Sequence, residues 1–586
     1  MKTNLLSWPG RTERGFALML VMVFTGISLF VLGGALSWTA QNSHLTSRNN
    51  DIFTTAFAAE AATEKVLATI AKDFQDDGEA RVYANLSDYK DLRPKKREEP
   101  FWEDFTFTAP GESTEDATGD TGRIYVERRT SWGLTELTSV YAGLRANASS
   151  YRVIANARMK RDHGTPARAG VLQDFQIASI PVFQFAIFYG LNMEISCGQP
   201  FNVTGRVHSN KKLYVCPDNT LTFQTHVTAV GDITFGRAPG DGRAAPRGTV
   251  TYMGDHDAKV GALTLPIGTN NTPGAVRAIV EIPPPGESAA SPMGRQRYYN
   301  KADMIIVVSN TTVTASSGNF NGFGTAIPAR QLAGLINTNS AFWDARESKW
   351  VRPLTIDVGR LKDWSATNTS LRPAMGNRDV RLVYVADHRT VNTNTDLVAV
   401  RLTNGAALPA TGLTVATERP LYVQGHYNAP VADRGTSNTL ASLPASLVSD
   451  AITVLSEAWT DPTSALAVGS RLAAHTTVNA AFLSGIVETP TYSIYSGGAE
   501  NFPRFLETWG STRTFTYNGS MVVVFPSKYA IGRWGLTSVY SPPKRNWAFD
   551  LNFMNSVKLP PGTPELRTIV RGTWSLIPPG ETIPAS

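Results

Sequence analysis

The chain is short of the residues that most chemistry needs. It holds two cysteines and eight histidines in 586 residues, and only 18% of its residues are charged. Two thiols cannot complete a tetrahedral zinc site without two further ligands. His208 lies between Cys197 and Cys216, but no second histidine stands nearby at ligand spacing. No dense Lys/Arg patch with interleaved aromatics is present, so composition gives no nucleic-acid partner. Arg93-Pro94-Lys95-Lys96-Arg97 is the one basic cluster; Glu98 and Glu99 follow it directly, and it reads as a solvated loop. A Gly-x-Ser-x-Gly elbow, a His-Glu-x-x-His zinc motif and a phosphate-binding Gly-rich lysine loop are all missing. The Gly-rich stretch Gly236–Gly242 contains proline and lacks the strand-to-helix context of a phosphate cradle. Asp255-His256-Asp257 and Asp387-His388 are isolated pairs of a kind expected on loops.

The absence of charge is most concentrated near the N-terminus. From Phe16 to Ser47 there is no Asp, Glu, Lys or Arg, and Phe16 to Trp38 is almost wholly apolar. About 20 apolar residues span the hydrocarbon core of a bilayer as a helix. Lys2, Arg11 and Arg14 precede this run, opposed only by Glu13. Positive charge tends to stay cytoplasmic, which directs the C-terminal bulk to the periplasm or exterior. A secretory signal peptide has a shorter core, followed at once by a small-residue cleavage site. Here the candidate sites, Gly33-Gly34-Ala35 and Thr39-Ala40-Gln41, lie past a full span. A simple uncleaved anchor also fits the segment.

The helical pattern does not stop at the membrane. Apolar residues recur at Ile52/Phe53, Ala56/Phe57, Ala59, Ala62, Val66/Leu67, Ile70 and Phe74, the three-four spacing of an amphipathic helix. Strong helix formers, among them Glu60, Ala61, Glu64 and Lys65, fill the intervals. The pattern predicts one helix from about Phe16 to about Phe74. Its first half is lipid-soluble and its second half packs on a soluble domain. Gly33-Gly34 reads as a kink, a close packing point or ordinary tolerance of glycine in membrane helices.

A basic leader ending in Gly15, then Phe16-Ala17-Leu18, an apolar helix and the segment Ala58–Ile70 together resemble a type IV pilin N-terminus. The likeness is greatest to PilX-type minor pilins and large tip pseudopilins. It implies cleavage by a prepilin peptidase between Gly15 and Phe16, with methylation of the new N-terminus. It also implies other pilins or pseudopilins and an inner-membrane assembly platform as partners. Most pilins carry glutamate at the fifth mature position, where this chain has Leu20. A carboxylate in an apolar filament core is costly unless paired. A tip subunit has no preceding N-terminal amine to pair it with, so the departure fits a minor or tip subunit.

Beyond Phe74 the sequence is rich in turn formers, with 48 Gly and 35 Pro in the whole chain. Residues 84–122 read as a loop or linker, and Arg123–Thr130 and Ser150–Arg161 as strands. Short strand-like pieces follow at Met193–Ser196, Phe201–Val207, Lys212–Val215, Leu221–Phe223 and Val227–Phe235, separated by Gly, Asn, Asp or Pro. Later pieces fit the same scheme, among them Met304–Val313, Val380–Ala386, Pro420–Tyr427, Thr477–Ile486 and Thr512–Phe525. Short helices are predicted at Pro328–Leu335, Asn339–Arg346 and Leu447–Glu457, with a further turn in Glu500–Trp509.

The fold class that results is α+β: a long transmembrane helix followed by a mainly-β region. Stacked rungs such as FNVTGRVHSNKKLYV and LTFQTHVTAVGDITF favour a β-solenoid, with a β-sandwich as the alternative. The division is a leader over 1–15, the helix over 16–75, a linker and small strand-rich region over 76–180, and a large β-rich domain over 181–586. Segments such as PVFQFAIFYGLNMEI, GLTVATERPLYVQGHYN and YSGGAENFPRFLETW, across most of residues 180–565, are similar to large bacterial proteins of verrucomicrobial and planctomycete type with the same N-terminus. That resemblance implies no chemistry.

In an oxidising compartment Cys197 and Cys216, with 18 residues between them, are able to form one disulfide, worth about 3 kcal/mol in the chain-entropy model; free thiols are the other reading. The aromatics Tyr492, Tyr495, Phe502, Phe505, Trp509, Trp534, Tyr540 and Trp547 fit either core packing or a face for sugars or a partner subunit. Two functions follow. One is a non-enzymatic minor pilin or pseudopilin of a type IV pilus or type II secretion-like filament, displaying its β-rich domain for assembly or adhesion, without cofactor or metal. The other is a membrane-tethered carbohydrate-binding or polysaccharide-cleaving protein with a surface glycan as partner, which needs converging carboxylates.

Overall fold

A computed structural model describes residues 14–110, 122–160, 165–318, 324–369, 371–489, 495–534 and 539–578. The leader residues Lys2 and Arg11, and Tyr492, lie outside them. One helix, Arg14–Asp77, runs 64 residues without interruption, about 96 Å at 1.5 Å per residue. Gly33 and Gly34 do not break it, and both have open space around them. From Phe16 to Asn50 every side chain is exposed, and the helix is long and apolar enough to cross a membrane.

Below Asn50 one stripe of the helix becomes buried: Thr55, Ala58/Ala59, Ala62/Thr63, Val66/Leu67, Ile70 and Phe74. The small residues at its start let the backbone approach its partner closely. The large ones at its end each contribute about 1.5–3 kcal/mol of burial. The partner is an antiparallel sheet in which Phe105–Thr108, Arg145–Met159, Arg168–Pro181 and Glu565–Ile577 follow one another. Tyr125–Arg128 and Gly133–Glu136 also pair with the second of these strands. Alternate residues Tyr151, Val153, Ala155, Val171, Phe175 and Ile177 pack with the helix in one cluster, the period-two face of a strand. Farther along the same strands, Ala146, Ala148, Ala178 and Ile180 join a second cluster, shared with the large β-rich region.

That region is built mainly of parallel strands two to nine residues long. Ile187, Val207 and Val227 stand side by side, 20 residues apart. Met193, Leu213 and Ile233 do the same, as do Phe201 and Leu221. Each 20-residue turn thus gives one short strand to each of three sheets. Ile187, Met193, Ile195, Phe201, Val203 and their stacked counterparts fill a common core.

A second run repeats the arrangement with longer connections. Met304–Val308, Leu382–Asp387, Leu413–Thr417, Ala445–Ser449, Ala481–Ile486 and Met521–Pro526 pair in parallel in that order. Lys349–Asp357, Asp396–Thr403, Leu421–Gln424, Ile452–Leu455 and Arg504–Phe505 form another ladder. Thr476–Asn479, Thr514–Gly519 and Lys544–Phe549 form a third.

The two runs meet end to end. Met521, Val522 and Val523 pair with Ile187, Phe188 and Tyr189, making a twelve-stranded sheet that does not close on itself. The chain therefore enters this stack in its middle, winds out to residue 258, crosses back through residues 259–303 and winds inward again. The returning segment covers the far face of the long sheet. Leu263, Leu265, Ile267, Val276, Val280 and Tyr298 pack there on Tyr384, Ala386, Val448, Leu483 and Val522.

Three sequence expectations are corrected. Leu447–Glu457 is two strands, Ala445–Ser449 and Ile452–Leu455, not a helix. Both faces of those strands are buried, so their apolar run lacks the alternation that marks a half-exposed strand. Asn339–Arg346 contains the strand Phe342–Asp344, paired with Lys349–Asp357. Cys197 and Cys216 are free, buried thiols rather than a disulfide. The register Ile195↔Val215, continued by two residues, sets Cys216 beside Ser196 and then Pro217 beside Cys197. The two sulfurs thus belong to successive positions on neighbouring rungs. Burial pushes both thiols up to about 12.

Candidate functional site: the N-terminal helix and an acidic cleft

The residues singled out by sequence divide into two groups. Phe16, Leu20 and Trp38 all lie on the exposed half of the helix, and Gly15 is in its first turn. Trp38, at the end of the apolar run, is separated from Thr55, the first fully buried position, by about 26 Å of helix. This intervening stretch holds Gln41, Asn42, Arg48 and Asn49 and is exposed on every side as far as Asn50. It also exposes the apolar Leu45, Ile52 and Phe53.

The Asp-His pairs and the aromatic stretch do not form sites. His256 stacks on Tyr252 at 4.3 Å, and Asp255 reaches His226. Asp387 is wholly buried and held by Arg389. No three His, Cys, Asp or Glu come together to hold a metal among the described residues. Phe502, Phe505, Trp509 and Tyr540 are buried in the main core, and Tyr495 is buried outside that cluster, edge-on to Trp534, which decides their alternative for packing.

His208 is also a core residue. It stacks on Phe188, and its ring nitrogens meet Thr228 Oγ1 at 2.8 Å and Asn210 Oδ1 at 3.0 Å. Burial pushes its pKa down to about 4. Below pH 6.5 the unfolded chain takes up a proton that the folded chain refuses. The stability this group contributes is therefore complete above pH 6.5 and falls by about 3 kcal/mol as pH drops towards 4. Urea unfolding of wild type and His208→Gln at pH 7 and pH 4.5 checks this. The difference between the two proteins should shrink at the lower pH; a constant difference contradicts a buried neutral imidazole.

A small cleft, with a cavity volume of about 70 Å³, opens where the two runs of strands meet. One wall carries Tyr189, Asn192, Glu194 and Tyr214; the other carries Ile486, Val487, Glu488, Gly497 and Gly498. Glu194 sits between Met193 and Ile195, both fully buried in the core, so the pleat turns its side chain to the opposite face. Gly498 packs directly on the Glu194 rung. A Cβ there would stand 2.7 Å from Glu194 O and 2.6 Å from Glu500 Oε2.

Behind the walls Glu500 accepts from the Ser196 N–H at 3.0 Å and from the Tyr495 hydroxyl. Asp241 is bound by Arg243 at 2.7 Å, with Arg237 at 3.8 Å. The Arg243 guanidinium lies 3.5 Å from the centre of the Tyr495 ring. Burial, together with the Asp241 and Glu500 carboxylates, pushes Glu194 up to about 7. Burial also raises Glu488, against the pull of Lys211. Glu194 Oε2 is shut off from water and has no hydrogen-bond partner among the described residues, while the Thr489 hydroxyl acts on the same carboxyl and opposes the upward shift.

Sequence reasoning missed this cleft. A glutamate within an apolar strand was the only local signal for Glu194. Nothing local joins it to Glu488, 294 residues away.

No family model matches the chain, and no curated protein does. Among solved structures, the competence-associated pilin ComZ from Thermus thermophilus aligns over 90% of this chain and 97% of its own length. The identity is 12% and the TM-score 0.31, an overlap too low to argue from.

Proposed function

We propose that the chain is a minor pilin- or pseudopilin-like subunit, anchored by its helix in the inner membrane and assembled into a surface filament. The carrying observation is the division of labour along one unbroken helix. Residues 16–50 are exposed and largely apolar at their start, while the stripe from Thr55 to Phe74 is the buried spine of an antiparallel sheet. A simple tether needs no rigid joint to its cargo; a helix continuous from membrane to core transmits its position to everything it carries. The exposed turns between Trp38 and Asn50, with Leu45 among them, offer a surface to neighbouring pilins.

Gly15-Phe16 is then the site of a prepilin peptidase, Phe16 the methylated N-terminus, and an inner-membrane platform the assembling machine. The PilX-like, tip-proximal assignment rests on Leu20, which leaves no carboxylate to bury. In this reading the bulk of the chain faces the periplasm before assembly and the exterior after it. The parallel 20-residue turns favour a solenoid-like display domain, and its role is adhesion or assembly rather than turnover. The expected N-terminus of the mature chain is Phe16; a chain that keeps Met1 in the presence of the peptidase contradicts the proposal.

A further inference from the structure

The large β-rich region holds a positive charge that the chain does not neutralise. Arg346 lies in the turn between Phe342–Asp344 and Lys349–Asp357 and is mostly buried. Its Nε donates to the Gly532 carbonyl at 3.2 Å. Among the described residues its two Nη groups meet no acceptor and no carboxylate. Asp344, two residues earlier, is occupied elsewhere. It accepts from the backbone N–H groups of Arg346 and Glu347 and from the Tyr422 hydroxyl at 2.6 Å. Glu347 is engaged by the Gly532 N–H and by Arg504 at 2.5 Å. Arg504 is thus a second cation beside the first, and it is only 6% exposed. Burial and the Arg504 charge push Arg346 down to about 9. Buried charges are normally paired, because leaving water without a counter-charge is costly.

Arg346 and Arg504 line one cavity of about 20 Å³, together with Ser496, Asn501 and Ser527. Ser496 is 5% exposed, and its hydroxyl has no partner. The Asn501 amide and the Ser527 hydroxyl donate elsewhere. No Asp or Glu is among the described residues that line the cavity, and the sequence has none in residues 490–494 or 535–538. The cavity therefore offers unused donors, an excess of positive charge and room for about one small solvent molecule or ion.

We infer that this cavity binds a chloride-sized monovalent anion between Arg346, Arg504 and Ser496. Such an ion accepts hydrogen bonds and donates none, which suits a free hydroxyl and free guanidinium N–H groups. It also gives Arg346 the counter-charge that no carboxylate of the chain provides. Water fits the volume, but it brings two donors of its own and no charge. Sulfate, phosphate and organic carboxylates are too large for the space.

The test is thermal unfolding of the full chain in detergent, with sodium chloride replacing sodium gluconate at constant ionic strength. Chloride should raise the unfolding temperature by about 1–3 °C, and the rise should saturate. Bromide should act like chloride. Arg346→Gln and Ser496→Ala should each lose most of the rise. Arg360→Gln, at an exposed arginine on the helix Val358–Thr367, should keep it. Line broadening of the chloride NMR signal by the wild-type chain reads the same binding directly, and it should vanish in Arg346→Gln. Should that variant fail to fold, Ser496→Ala decides by both measurements. An unfolding temperature indifferent to chloride, a rise left intact in either variant, or a rise that grows without saturating, as a general salt effect does, overturns the inference. None of these readouts depends on how the N-terminus is processed.

Discussion

Asp450→Ala is expected to destabilise the β-rich region by about 3–5 kcal/mol. Asp450 is wholly buried in the turn between Ala445–Ser449 and Ile452–Leu455. Its Oδ1 accepts from the Lys528 N–H at 2.6 Å, and its Oδ2 from Tyr529 and Ala530 at 2.9 and 2.7 Å. The Arg277 guanidinium stands 2.8 Å from Oδ1 and is itself only 7% exposed. One carboxylate thus ties together a turn of the stack, the segment that follows Met521–Pro526 and the returning chain on the outer face. Alanine leaves three backbone donors unpaired and takes from a buried cation the nearer of its two counter-charges. Arg277 keeps Glu281 and two backbone carbonyls, which limits the loss. Asp450→Asn keeps an acceptor but not the charge, and should fall between alanine and wild type. Denaturant midpoints followed by tryptophan fluorescence measure this. A loss below about 1 kcal/mol for alanine would show that the network is dispensable.

Arg567→Ala is expected to cost about 2–3 kcal/mol and to loosen the end of the long helix first. Arg567 belongs to the strand Glu565–Ile577, yet its Nη1 donates to the carbonyls of Phe74 at 2.6 Å and Gln75 at 2.8 Å. Those carbonyls are among the last of the helix, where intrahelical donors run out; the Phe74 carbonyl also accepts from the Gly78 N–H at 3.0 Å. The cation also lies where the helix dipole is negative. The helix itself offers no basic residue in its last turn. Gly78, at φ 84°, ends it in the left-handed conformation, and a Cβ there would stand 3.0 Å from the same guanidinium. Hydrogen exchange should accelerate in the last turns of the helix, and Arg567→Lys should restore only part of the loss, since one ammonium cannot reproduce the planar fork. Arg571 pairs with Glu64 on the exposed side of the same contact. Arg571→Ala should therefore cost under about 1 kcal/mol. Equal effects of the two alanines would contradict the capping account.

The long helix was legible because lipid and core impose two different periodic demands on one run of residues. Sequence placed it at about Phe16–Phe74, and it spans Arg14–Asp77. The short strands around Phe201–Val215 and Leu221–Phe235 were legible because turn residues separate them. Their merging was not: Phe201–Val207 and Val227–Phe235 each divide into two strands on different sheets. A bend within such a run changes which sheet a residue joins without changing its hydrophobicity. The end-to-end docking of Met521–Pro526 on Ile187–Tyr189 was hidden, because any edge of a parallel ladder offers the same unpaired groups. The return of Glu565–Ile577 to the first sheet was hidden likewise, because the edge of that antiparallel sheet also offers unpaired groups to any strand. The thiols were misread because spacing along the chain says little about which positions face each other on adjacent rungs. The cleft arises only from the docking, so Glu194 and Glu488 had no common signature.

The claim that the chain is a filament subunit meets its most direct test at its own N-terminus. The intact mass and N-terminal fragment masses of the membrane-extracted protein should be measured with and without a prepilin peptidase. The expected result is a mature chain beginning at Phe16, N-methylated, in the presence of the enzyme, and an uncut chain retaining Gly15 in its absence. The same Met1 start in both would make the helix a plain single-pass tether and contradict the account.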